Sequence, residues 1–86
     1  MTLPELKEWI KSAKHVDGSA EEYDSSTNKY YFKIYEKDGK FFKIEFMNDH
    51  PFEHYVKGKG FSHNEYNPTP MKKIGGMRYY QDWEEL

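Results

Sequence analysis

Residues 30–47 read YYFKIYEKDGKFFKIEFM. Two runs of aromatic and β-branched residues flank Asp38-Gly39. Tyr30, Phe32 and Ile34 alternate with Tyr31, Lys33 and Tyr35, and Phe42, Ile44 and Phe46 alternate with Phe41, Lys43 and Glu45. Alternation with period two predicts two half-buried strands. The dipeptide between them is a hairpin turn signal.

The loop length follows from which faces must match. A two-residue loop pairs Lys37 with Lys40 and sets Ile34 opposite Lys43. A three-residue loop over Lys37, Asp38 and Gly39 pairs Glu36 with Lys40. It sets Ile34 against Phe42, Phe32 against Ile44, and Tyr30 against Phe46. A slip of one residue moves every side chain to the other face. If one face holds the core, the apolar match predicts the three-residue loop with a bulge at Gly39. The expected core face is then Tyr30, Phe32, Ile34, Phe42, Ile44 and Phe46. The expected outer face carries Tyr31, Lys33, Tyr35, Phe41 and Lys43, an aromatic and mostly basic surface suited to contact with a partner.

The remaining chain predicts what packs on this hairpin. Thr2-Leu3-Pro4-Glu5 has the form of a helix start, with Thr2 and Glu5 as a capping box and Pro4 in the first turn. Leu3, Leu6, Ile10 and Ala13 form one stripe bordered by Trp9. The expected helix covers about residues 3–15. Residues 17–28 are rich in Ser, Asp and Glu and predict a loop, with a short edge strand near 21–24. The hairpin spans 29–48. Asn48-Asp49 precedes Pro51 and predicts a turn, then a short helix or strand over 51–57. Residues 58–70 include Asn67-Pro68-Thr69-Pro70 and predict an irregular course, with a short strand near 71–74. A last strand is expected at about 77–81, followed by an acidic tail. Asp82, Glu84 and Glu85 surround Trp83 there, an anionic cluster around an aromatic anchor that could face a basic partner. The expected fold class is α+β: an N-terminal amphipathic helix packed on a small antiparallel sheet of three to four strands.

Composition narrows the function classes. The chain has 86 residues, enough for one domain. A chain of this length buries only about 60% of the surface its unfolded form exposes. Aromatic residues make up 19% of it, which separates it from disordered chains. With no cysteine there is no disulfide framework and no thiolate metal site or nucleophile. Neither a membrane-length apolar run nor a secretory leader is legible, so a cytoplasmic location is expected. Net charge is −2, with acidic ends around a mildly basic middle. That lacks the basic excess of a phosphate-binding protein.

Short motifs add little. His50-Pro51-Phe52-Glu53-His54 matches H-x-x-E-H, where two histidines on one helical face bind zinc and Glu53 is the base. Pro51 leaves His50 at or before any helix start, and only His63 or Glu65 is at hand as a third ligand. Lys59-Gly60-Phe61 overlaps an RNA-recognition pattern that Ser62, His63 and Asn64 interrupt. Neither a catalytic constellation nor a cofactor fingerprint emerges, so no metal, cofactor or catalytic role is expected. The expected function is non-catalytic protein binding, as in an inhibitor, immunity or anti-defence protein that occludes a surface or mimics charge. The alternative is single-stranded nucleic acid held on the aromatic-lysine face.

Overall fold

The computed structural model describes residues 1–51, 55–56, 60–61, 66–75 and 83–86. Helix α1 spans Leu3–Lys11. The Thr2 hydroxyl accepts from the Glu5 amide at 3.4 Å, and the Glu5 carboxylate accepts from the Thr2 amide at 2.8 Å. Both halves of the expected capping box are thus formed. The helix ends earlier than expected, where Ser12 turns its hydroxyl back onto the Trp9 carbonyl at 2.8 Å. Residues Lys14–Gly18 form strand β1 instead of a last helical turn. The apolar stripe stops at Ala13, and His, Val, Asp and Gly are weak helix formers, so pairing along the sheet wins.

The sheet is built on β3 (Lys29–Lys37) and β4 (Lys40–Met47). It also contains β1, β2 (Glu22–Tyr23), β5 (His50–Pro51), β8 (Thr69–Lys73) and β9 (Trp83–Glu85). The main path runs β1-β3-β4-β8-β9; β2 also pairs with β3, and β5 with β4. A separate pair joins β6 (Tyr55–Val56) to β7 (Gly60–Phe61). All pairings are antiparallel. The α+β class is as expected, and the sheet is larger than the expected three to four strands. Its short edge strand at 22–23 and the strand near residue 71 are where the sequence predicts them. The expected strand at 77–81 lies outside the described residues. The Trp83–Glu85 stretch is a strand of the sheet rather than a tail.

The hairpin register corrects the expectation above. Lys37 pairs with Lys40, Ile34 with Lys43, and Phe32 with Glu45. The loop is the two residues Asp38 and Gly39, at φ 53° and 76°. This is the twist-matched turn that Asp-Gly favours. Asn48 and Asp49 repeat the device between β4 and β5, at φ 52° and 67°, with Met47 paired to His50. Pro51 therefore lies in a strand, not at the start of a helix.

The sheet is buried on both faces. One face packs on α1: Leu6, Tyr35, Ile44 and Phe46 form the cluster, and Trp9, Ile10, Ala13 and Tyr31 pack against it. Leu6 is 1% exposed. Trp9 meets Tyr35 and Phe42 edge-on, at 6.0 and 5.3 Å between ring centres. The other face holds Ile34, 0% exposed, and Met71. With apolar residues wanted on both faces, matching them across strands cannot select a register. Turn geometry selects it.

The second face is concave. Along a flat sheet, four gaps of about 4.8 Å would separate β1 from β9 by roughly 19 Å. Yet the Trp83 indole N–H on β9 reaches the Asp17 carboxylate on β1 at 2.6 Å. The sheet must coil until its two ends come within side-chain reach, in the sense of the usual right-handed twist.

Candidate functional site

The nine residues expected to form a contact surface are redistributed by this register. Tyr35 is core, 5% exposed, under Trp9. Tyr31 and Lys33 share the helix-side face with Phe46. Phe41 and Lys43 lie on the concave face, where the tail residues also arrive. Phe41 and Trp83 meet edge-on at 4.8 Å. Lys43 is bridged to Glu85 and to Glu45, each at 3.3 Å, and Glu84 to Lys72 at 2.9 Å. Asp82 lies outside the described residues. Two surfaces read as separate in the sequence are thus partly one structure, in which Lys43 of the hairpin and Lys72 of β8 neutralise the tail carboxylates Glu85 and Glu84. The continuous aromatic-lysine platform does not exist.

What stands open lies at the other edge of β3. β1 pairs with β3 over Lys33–Glu36, and β2 pairs over Lys29 and Tyr30. Between them the ladder is interrupted at Tyr31 and Phe32. Ser19 fills the interruption: its amide donates to the Phe32 carbonyl at 2.9 Å, and its hydroxyl accepts from the Phe32 amide at 2.9 Å. Gly18 is needed just before it, since a Cβ there would lie 2.9 Å from the Phe32 carbonyl oxygen. A groove opens on each side of this interruption.

The first groove, of about 570 Å³, has Tyr31 in its wall. Three carboxylates line it, Asp17, Glu21 and Asp49, against His15 and Lys33. Tyr31 is held firmly. Its ring stacks on Phe46 at 5.2 Å and 8°, and Lys33 lies over both rings, at 5.9 and 5.4 Å. Its hydroxyl donates to Asp49 at 2.7 Å, and Lys29 donates to the other oxygen of Asp49 at 2.9 Å. Burial, and then the Asp49 carboxylate, push the Tyr31 phenol up to about 12. The same two donors, Tyr31 before Lys29, lower the Asp49 carboxyl below its ordinary value. Asp49 reaches this position through its left-handed backbone, which Asp tolerates better than most residues.

The second groove, of about 350 Å³, is lined by Ser19, Glu22, Tyr30, Phe32 and Glu45 together with Tyr31 and Phe46. Its side chains are aromatic and acidic, without a basic residue. The β2–β3 turn beside it is organised by Asp24, which accepts from the Ser26 hydroxyl at 2.7 Å, from the Ser26 amide at 2.8 Å and from the Asn28 amide at 3.0 Å. These bonds, led by the Ser26 hydroxyl, lower the Asp24 carboxyl to about 2. This part of the expected loop is an exposed turn held by its own hydrogen bonds.

Sequence reading missed Glu21, Glu22 and Asp49 as site residues. Their spacing carries no motif; they converge because β2 folds back onto β3 and Asn48-Asp49 reverses the chain beside it. His50 is extended in β5, so the helical geometry that H-x-x-E-H requires is absent at its first histidine. Glu53, His54, His63 and Glu65 lie outside the described residues. Among the described residues no group of three or more His, Asp or Glu is placed to hold a metal ion. No described helix is long and apolar enough to cross a membrane. No protein-family model, curated protein or solved structure matches this chain.

Proposed function

We propose that this chain is a small non-catalytic protein-binding module, and that its contact surface is the pair of grooves flanking Ser19. The observation that carries this is the charge of their walls. Asp17, Glu21 and Asp49 line one and Glu22 and Glu45 the other, against Lys33 and His15. Lys29 bridges Glu21 and Asp49 and Lys43 bridges Glu45, which leaves Asp17 and Glu22 without an ion pair among the described residues. Aromatic side chains with a rim of one sign suit a basic segment of a partner, because complementary potentials steer encounter and reject like-charged competitors. An inhibitor that covers a basic functional surface of its target is the role these features suit best. Both described tail glutamates are paired with lysines, whereas Asp17 and Glu22 of the grooves have no ion pair among the described residues. The expected cytoplasmic location belongs to this reading.

Single-stranded nucleic acid has less support. Its aromatic-lysine face is divided by the register, and Lys43 is occupied by two carboxylates. Phosphates would also meet an acidic rim.

Affinity capture from the native host with the wild type and a Glu21→Lys/Glu22→Lys variant tests the proposal. A stoichiometric, basic-surfaced protein should be retained by the wild type at low salt and lost by the variant. Equal recovery by both would sink the groove assignment. Retention of a labelled oligonucleotide by the wild type would favour the nucleic-acid reading instead.

A further inference from the structure

Across the concave face, each aromatic residue of the outer hairpin has a glutamate as its cross-strand neighbour. Glu22 pairs with Tyr30, and Phe32 pairs with Glu45. Paired residues in an antiparallel ladder project from the same face, so rings and carboxylates lie side by side. One of these units already holds a cation. Lys43 Nζ lies 5.9 Å from the centre of the Phe32 ring and 3.3 Å from Glu45. The neighbouring unit, Tyr30 with Glu22, has the same composition. Tyr30 is 37% exposed, and Glu22 is exposed on an edge strand. Lysines lie over Trp9, Tyr31, Phe32, Phe46 and Trp83, and no described lysine or arginine lies over Tyr30.

We infer that the groove between Glu22, Tyr30, Phe32 and Glu45 receives an arginine side chain from an extended basic segment of the partner protein. This rests on the protein-binding reading above and names what one of its grooves recognises. Arginine fits better than lysine for two reasons. A planar guanidinium stacks flat on an aromatic ring, whereas an ammonium meets it only as a point charge. Its fork of donors can also bond a carboxylate on the rim while the plane rests on the ring. A groove of about 350 Å³ has room for one such side chain and its hydrating water. Lys43 already occupies the Phe32 ring and Glu45, so the incoming group is directed to Tyr30 and Glu22.

The test is a titration of the full chain, followed by amide NMR, with a short blocked peptide alternating glycine and arginine. Matched peptides carry lysine or neutral citrulline in place of arginine. The arginine peptide should give saturable shifts at Glu22, Tyr30 and Phe32. Glu22→Gln and Tyr30→Leu should each weaken binding about fivefold, the upper range for one solvent-open charged contact. Glu8→Gln, a charge removed from the helix instead, should leave it unchanged. Unaltered thermal unfolding of Glu22→Gln establishes that its fold is intact. Lysine binding as tight as arginine would overturn the guanidinium assignment. Shifts confined to Asp17, Glu21 and Asp49 would overturn this groove and leave the acidic contact surface standing. No saturable binding of any basic peptide would overturn both.

Discussion

The indole N–H of Trp83 donates to the Asp17 carboxylate at 2.6 Å, joining the last strand of the sheet to the first. Trp83 is also held on β9 by the Phe41 ring at 4.8 Å and by Lys73 at 5.8 Å. One side chain therefore fastens the coil that creates the concave face.

Trp83→Phe keeps a ring against Phe41 and removes the donor. The expected cost is about 1 kcal/mol, typical of a net hydrogen bond. In a domain of this length that lowers Tm by roughly 4–8 °C. Asp17→Ala should cost a similar amount, and the double variant little more than either alone. Additive losses in this cycle, measured by denaturant unfolding, would show that the two residues act independently.

Gly39→Ala tests the turn. A Cβ at this position meets nothing within 4 Å, so sterics with the rest of the fold play no part. The backbone at φ 76° remains left-handed, and a side chain there costs roughly 1–2 kcal/mol. Chemical denaturation should report that loss with an unchanged slope. A neutral result would be incompatible with the two-residue turn.

Tyr35→Ala separates the observed register from the one the apolar match favours. In the structure Tyr35 is buried beneath Trp9 and packs with Leu6, Ile44 and Phe46. Truncating a core aromatic costs about 3–5 kcal/mol. Leu6→Ala on the opposing helix should cost about 2–5 kcal/mol by the same mechanism. A surface tyrosine would lose well under 1 kcal/mol, so unfolding curves decide between the registers.

The alkaline limit should carry the mark of Tyr31. Its folded state binds the phenolic proton more tightly than the unfolded chain does. Its contribution to stability is complete below the ordinary tyrosine value of about 10 and is lost as pH rises through that value to about 12. Absorbance titration of the tyrosinate should show a component near 12 that disappears in Tyr31→Phe. Its persistence in that variant would mean another tyrosine is responsible.

The acid limit should carry the mark of Asp24. Here the folded state binds the proton less tightly. The contribution is complete above the ordinary aspartate value near 4 and is lost as pH falls towards about 2. Amide exchange at Ser26 and Asn28 should rise over that interval before the rest of the sheet opens. Uniform exchange across the whole chain would show that the Asp24 turn has no separate transition.

The sequence by itself determined the local elements. The Thr2–Glu5 capping box, the stripe of Leu6, Ile10 and Ala13, and the alternation through Tyr30–Met47 are short-range signals that act between near neighbours. They specified a helix on an antiparallel hairpin, and the structure has both. Tertiary structure decided what required two distant segments to meet. Pairing of Lys14–Gly18 with β3 ended the helix early. Pairing of Trp83–Glu85 with β8 made a strand of a supposed tail and brought Trp83 against Phe41 on the second face. That second face removed the one-sided burial on which the apolar match depended, so the local geometry of Asp38-Gly39 set the register instead. The acidic grooves have the same origin: Glu21, Glu22, Glu45 and Asp49 are scattered along the chain, and only the return of β2 and the Asn48-Asp49 turn place them around Tyr30, Tyr31 and Phe32.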